Sequence, residues 1–246
     1  RWPPWLPVDV PDVEVGVSRT VPAYAGQPAV TEVLQLHLDV IRAAKSSLLF
    51  ENQYFTAGAI ADALVSRLAA ANPPEVAVIT SERQSGWLED ATMGVRRARL
   101  QARLRKADGG HRYRLLCPVL PGSAVGLNVH SKVFFMDERL CSIGSANLSN
   151  RSMACDTECQ LSIEARGHDA ARISAALAHL RARLLAEHLG AMPQQVLTAW
   201  HQHRGISDTI DAFAASSRCL RDFDPVVPPE LEALIPEHAL FDLKKT

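Results

Sequence analysis

Apolar and polar positions alternate with two different periods along this chain, and the changes of period divide it into strands and helices. Residues 13–18 read as a strand after a proline-rich lead-in, followed by turn residues around Gly26 and Pro28. Thr31 is placed to cap a helix running to about residue 44, with Val33, Leu34, Leu38 and Ile41 on its apolar stripe. Residues 47–55 form a strand that ends in polar groups. A helix through Leu64 and Leu68 follows, and Pro73 and Pro74 stop it.

Residues 75–80 read as a short buried strand, 88–106 as a long helix, and 111–116 as a returning strand. Residues 129–136 and 140–143 predict a strand pair joined by the turn Asp137-Glu138-Arg139. In the strand expected over 157–163, Thr157, Cys159, Leu161 and Ile163 alternate with Glu158, Gln160 and Ser162. Helices are expected over about 169–189 and 193–203. The tail beyond Asp222, rich in proline, predicts little regular structure. Strands alternating with helices, plus an antiparallel pair, imply an α/β fold with a mixed β-sheet flanked by helices on both faces. The expected organisation is a catalytic unit over 1–190 with a helical and irregular extension over 191–246 packed on it.

Composition narrows the function classes. With 246 residues, 47% hydrophobic and 22% charged, the chain has ample material for a buried core. Its formal net charge of -1 disfavours nucleic acid as a partner, because a phosphate backbone calls for a basic footprint. No apolar run approaches the ~20 residues that span a bilayer. The opening from Arg1 lacks the layout of a signal peptide, so the chain is expected to be a processed form or a segment of something longer. Five cysteines at irregular positions give no disulfide framework. Cys155 and Cys159 would lie roughly 13 Å apart on a strand, too far for one zinc ion. No metal or cofactor is expected. The compartment stays open between soluble and peripheral membrane, with the cytoplasm slightly favoured.

The chemistry concentrates in Asn128-Val-His-Ser-Lys-Val-Phe-Phe-Met-Asp137, Ile143-Gly-Ser-Ala-Asn147 and Asp156-Thr-Glu158. On a strand, His130 and Lys132 would share a face roughly 6–7 Å apart, setting a nucleophile or proton carrier beside a cation. Asp137 has the opposite parity and reads as a structural partner of the turn. Gly144 permits close backbone approach, and Ser145 and Asn147 supply neutral donors of the kind a phosphodiester's non-bridging oxygens require. Glu158 is placed to accept a hydrogen bond from the His130 imidazole and fix its tautomer.

His-x-Lys-x4-Asp followed by Gly-Ser-x-Asn resembles the signature of the phospholipase D superfamily. Glu51-Asn-Gln-Tyr-Phe55, the run from His130 to Met153, Asp156-Thr-Glu158-Cys159 and Glu187-His-Leu-Gly190 resemble the second, carboxy-terminal half of true phospholipases D. The resemblance implies one half of a pseudo-twofold architecture and a site built from two such motifs. It implies that His130 and Lys132 are the catalytic pair, Ser145 and Asn147 the phosphate cradle, and Glu158 the carboxylate that orients His130. It also suggests Gln53 as pocket lining.

The implied reaction runs through a phosphohistidine on one histidine while the other protonates the leaving alcohol. By the family pattern His130 is the acid and later the base. None of the other eight histidines begins a second His-x-Lys. The expected partners are therefore a phospholipid with water or an alcohol as acceptor, and a second motif-bearing half: a missing amino-terminal half or a second copy. The basic cluster Arg96, Arg97, Arg99, Arg103, Arg105 and Lys106 reads as a solvated helix face, with peripheral contact to phosphate headgroups as the functional alternative. The competing functions are a single-motif homodimeric endonuclease and an inactive isolated half domain.

Overall fold

The computed structural model describes residues 3–82, 87–123, 126–203 and 205–225, and for residues 87–92 the backbone alone. In chain order the elements are β1 (Gly16–Val21), β2 (Val30–Thr31), α1 (Glu32–Ala43), β3 (Ser47–Asn52), α2 (Gly58–Leu68), β4 (Glu75–Ile79), α3 (Trp87–Ala107) and β5 (Tyr113–Val119). They continue with β6 (Lys132–Met136), β7 (Leu140–Gly144), α4 (Asn150–Ala154), β8 (Glu158–Glu164), α5 (Ala170–Leu189), α6 (Pro193–His203), α7 (Ile206–Asp211) and β9 (Cys219–Asp222).

The strands among the described residues form one mixed sheet in the order β2-β1-β8-β7-β6-β3-β4-β5-β9. β3, β4 and β5 run parallel, each reached through a helical crossover; the remaining pairings are antiparallel. Strand alternation sends β3 residues to opposite sides, which builds two cores. Leu48 and Phe50 pack with Val33 and Ile41 of α1, Ile60 and Leu64 of α2 and Leu104 of α3. Leu49 packs with Phe135 and with Leu177 and Leu185 of α5, Trp200 of α6 and Ile206 of α7. Both faces are covered, as the alternating pattern implied, which is why all six β3 residues are buried.

The segment after residue 190 contributes α6 and α7 to the second core and β9 to the sheet edge, where Cys219–Asp222 pairs antiparallel to β5. The tail beyond 225 lies outside the described residues. α5 ends where Gly190 turns into the left-handed region at φ 60° and donates its N–H to the Ala186 carbonyl.

Several expectations change. The first strand is displaced to Gly16–Val21, because its pairing with β8, from Gly16–Ser162 to Thr20–Glu158, sets the register. β6 begins at Lys132 rather than Val129, so His130 precedes the strand. The sides of β8 are also reversed near its start. Gln160 is 1% exposed, whereas Cys159 is exposed and Leu161 is 49% exposed. The reason is coverage: α5 packs over Cys141 and Ile163 but stops short of Leu161 and its neighbours Ile143 and Val17.

The basic cluster on α3 divides in two: Arg103, Arg105 and Lys106 form the exposed face the sequence implied, whereas Arg96 and Arg97 are buried. Arg97 is 2% exposed and donates to the Ser81 and Glu82 carbonyls, with its guanidinium 4.7 Å above the Phe223 ring. Arg96 is buried, and Arg103 and Arg105 pair with Asp62 and Asp224.

Candidate active site

In a sheet of this kind, ligands gather where parallel strands end, because the following loops splay apart there. β3 ends at Asn52, which lies opposite Lys132 at the start of antiparallel β6. β7 ends at Gly144, opposite Gln160 near the start of β8. One end of the sheet thus collects the polar triplet Glu51-Asn-Gln53, the His130–Lys132 segment, the Gly144–Asn147 turn and Glu158.

Lys132 is only 8% exposed, and its ammonium has two neutral acceptors. Nζ donates to Gln53 Oε1 at 3.1 Å and to the His130 carbonyl at 2.8 Å. Burial holds its pKa below the ordinary lysine value, offset in part by the charge of nearby Glu158. Gln53, itself 7% exposed, is fixed from behind by Thr80, whose hydroxyl donates to the Gln53 carbonyl at 3.0 Å. Gln53 therefore meets the lysine directly.

His130 is exposed at the end of the approach loop, with Val129 buried beside it. Ser81, just beyond β4, accepts the Val129 N–H at 2.8 Å and anchors that loop.

Glu158 does not meet the His130 imidazole. Its carboxylate accepts instead from the Ser145 hydroxyl, in a short hydrogen bond, and the same hydroxyl accepts the Cys159 N–H at 3.1 Å. Ser145 N–H donates to the Cys159 carbonyl at 3.0 Å, so the turn is stitched to β8 on both sides. Gly144 is required by that approach. A Cβ at this position would stand 2.2 Å from the Cys159 carbonyl oxygen and 1.7 Å from Gln160 Oε1.

Asn52 clamps the turn from the other side. It donates to the Ala146 carbonyl at 3.2 Å and accepts the Leu148 N–H at 3.0 Å. Asn147 sits between these clamps, half-buried, with a buried and unpaired Oδ1.

Asp137 lies at the far end of β6, roughly 17 Å from Lys132 at about 3.3 Å per strand residue. Its Oδ1 accepts from Ser46 N (2.8 Å), Ser46 Oγ (2.7 Å) and Ser47 N (2.9 Å), and its Oδ2 from Lys45 N (3.1 Å). Burial works to raise this carboxyl's pKa, but the four donors outweigh it and hold the group below its ordinary value.

The site therefore unites Lys132, Gln53, Ser145 and Glu158 and leaves Asp137 elsewhere. Sequence reasoning passed over Asn52, Ser81 and Glu51. A polar triplet directly after Leu48-Leu-Phe was the visible signal. These polar groups at the strand's end are buried: Glu51, Asn52 and Gln53 are 5%, 4% and 7% exposed.

Residues 37–181, more than half the chain, match the family described as "Cardiolipin synthase, PLD-like domain". The chain belongs to this family of phospholipase D-like domains. Among solved structures it is similar to phosphatidylserine synthase from Haemophilus influenzae Rd KW20, at 15% identity and a TM-score of 0.53. That match covers 81% of this chain and 47% of the synthase. It is also similar to Nuc, a phospholipase D family member from Salmonella typhimurium, at 20% identity and a TM-score of 0.42, covering 70% of this chain and 93% of Nuc. NucT from Helicobacter pylori matches at 19% identity and a TM-score of 0.45, covering 70% of this chain and 96% of NucT. No curated protein matches the chain. No helix among the described residues is long and apolar enough to cross a membrane.

Proposed function

We propose that this chain supplies one half of a phosphodiester-cleaving site that acts on phospholipids through a phosphohistidine, by hydrolysis or by phosphatidyl transfer to an alcohol. The observation that carries the reading is Lys132. Both its hydrogen-bond partners are neutral, so a nearly buried ammonium keeps its charge for an anion arriving beside an exposed imidazole. Such a preorganised cation stabilises charge on a phosphoryl group by several kcal/mol. Asn147 lies on the neighbouring turn and completes the cradle, and Ser145 joins it when its hydroxyl turns from Glu158 to the phosphate.

A second motif-bearing half, either a longer protein's own or a second copy, provides the nucleophile. Its histidine attacks phosphorus, the P–N bond forms, and the P–O bond to the leaving alcohol breaks as protonated His130 gives that oxygen its proton. Neutral His130 then takes a proton from water or an acceptor alcohol, whose oxygen attacks phosphorus and releases the histidine. The Ser145 bridge sets the position of Glu158, which contributes negative charge close to Lys132. The family's description and the fold shared with a phosphatidylserine synthase favour a lipid over a nucleic acid, as does the near-neutral charge.

The test is turnover of phosphatidylcholine vesicles and of single-stranded DNA, assayed on fractions of known mass. Lipid turnover confined to a dimer or to a two-half assembly, and abolished by His130→Ala with folding intact, is the expected result. DNA cleavage without lipid turnover would reject the substrate class. A turning-over monomer with this one motif would reject the half-site.

A further inference from the structure

The residue between His130 and Lys132 opens onto a buried polar chain that the reaction above does not use. Ser131 Oγ donates to Glu51 Oε1 in a short hydrogen bond, and Glu51 Oε2 pairs with His188 Nε2 at 2.7 Å. Glu51 and His188 are 5% and 4% exposed, and the three residues come from β3, the loop before β6, and the last turns of α5. A carboxylate accepts through both oxygens here, so the imidazole proton lies on Nε2. His188 Nδ1 is buried without a partner.

Burying an ionised carboxylate and leaving one ring nitrogen unsatisfied is costly, and an apolar pair would fill the same space at less expense. The arrangement therefore calls for a purpose beyond packing, and its location supplies one. The sheet pairings of β6 begin at Lys132, so residues 129–131 are not held by the ladder. Side chains hold them instead: Ser81 takes the Val129 N–H, the Lys132 ammonium takes the His130 carbonyl, and Glu51 takes the Ser131 hydroxyl. His130 is thus bracketed by anchored neighbours while its own ring stays exposed. Both Glu51 oxygens are engaged, so the carboxylate cannot rotate away from Ser131 without losing α5.

We infer that Glu51 and His188 are positioning residues that hold His130 in its working place through the Ser131 hydroxyl. The inference rests on reading His130 as the acid–base group of the site. The two histidines divide the labour: His130 faces the substrate, and His188 braces it from inside the core.

The experiment compares Ser131→Ala, Ser131→Thr and His188→Leu with a control, Leu185→Ala, which opens a fully buried core position of the same helix and takes part in none of these hydrogen bonds. Two readouts are taken on the active assembly: kcat and KM on phosphatidylcholine vesicles, and the His130 imidazole signals by nitrogen-15 NMR, assigned by their loss in His130→Ala. Misplacing a reacting group by about 1 Å costs on the order of 100-fold. Ser131→Ala and His188→Leu are therefore expected to lower kcat about 10- to 100-fold, to leave KM within about twofold, and to shift or broaden the His130 signals. Ser131→Thr, which keeps the hydroxyl, should restore kcat to within about threefold.

Leu185→Ala should lower thermal stability while leaving kcat and the His130 signals in place. Ser131→Ala with wild-type kcat and unchanged His130 signals overturns the inference, as does a Leu185→Ala control that loses kcat in parallel. If no preparation, wild type included, turns over lipid, the proposed function fails on its own. The NMR comparison still decides whether the chain holds His130.

Discussion

Replacing Asp137 with alanine separates the structural from the chemical part of the His-x-Lys-x4-Asp signature. The carboxylate receives three backbone N–H groups and one hydroxyl from residues 45–47, and so ties the β6–β7 turn to the start of β3. Ser47 is buried, so its N–H would be orphaned at about 2 kcal/mol. Lys45 and Ser46 are exposed and can rehydrate, so each of their three bonds is worth only about 0.5 kcal/mol. Residue 137 also sits at φ 53°, in the left-handed region, where alanine adds about 1 kcal/mol and asparagine much less.

The sum is about 4.5 kcal/mol for Asp137→Ala, a fall in Tm of roughly 9–18 °C for a chain of this size. Asp137→Asn keeps an acceptor and tolerates the backbone, and should lose about half as much. Since the folded carboxyl titrates below its ordinary value, its contribution is complete above the unfolded pKa of about 3.9 and is lost as pH falls through the lower folded value. Asp137→Asn should flatten that acid limb. The assays are thermal unfolding across pH and turnover measured well below the variant's Tm. Folded Asp137→Ala should keep kcat near wild type. A folded variant with unchanged Tm and no turnover would refute the reasoning, because Asp137 would then act in the chemistry from roughly 17 Å away.

Gly144→Ala should cost at least about 2 kcal/mol and displace Ser145 and Asn147, since its Cβ meets a backbone carbonyl at 2.2 Å; a wild-type melting curve with wild-type turnover would contradict this. Gln53→Leu removes an acceptor from the Lys132 ammonium and should lower kcat/KM by about tenfold or more, whereas Gln53→Glu should raise the pH at which the lysine loses its charge. His37 is 1% exposed, and burial lowers its pKa to about 4, against which a hydrogen bond with the Val33 carbonyl works. Its neutral form is favoured in the fold. Its stabilising contribution is therefore whole above the unfolded pKa of about 6.5 and falls by on the order of 3 kcal/mol as pH drops from there to about 4. His37→Phe should remove that slope from denaturant-unfolding curves between those pH values.

The sequence by itself determined the periodicity-driven parts of this protein. α1, α6 and the core of β3 follow from local pattern, because the spacing of apolar residues fixes both the element and the face it buries. The residue types of the site were legible for the same local reason: His130, Lys132, Ser145 and Asn147 stand within one short stretch of chain.

What only the tertiary structure decided depends on where a covering element stops or which distant strand a residue meets. α5 stops short of Leu161, so an apolar alternation that reads as core faces outward there, and buried Gln160 closes over Gly144 instead. The register of β3 against β6 sets Gln53 on Lys132 and Asn52 on the Gly144–Asn147 turn, across more than 75 residues of chain. Ser145 captures Glu158 because β7 and β8 pair with Gly144 opposite Gln160, a geometry no spacing in the sequence encodes. The Glu51–His188 pair joins residues 137 positions apart, and only the packing of α5 on the sheet brings them together.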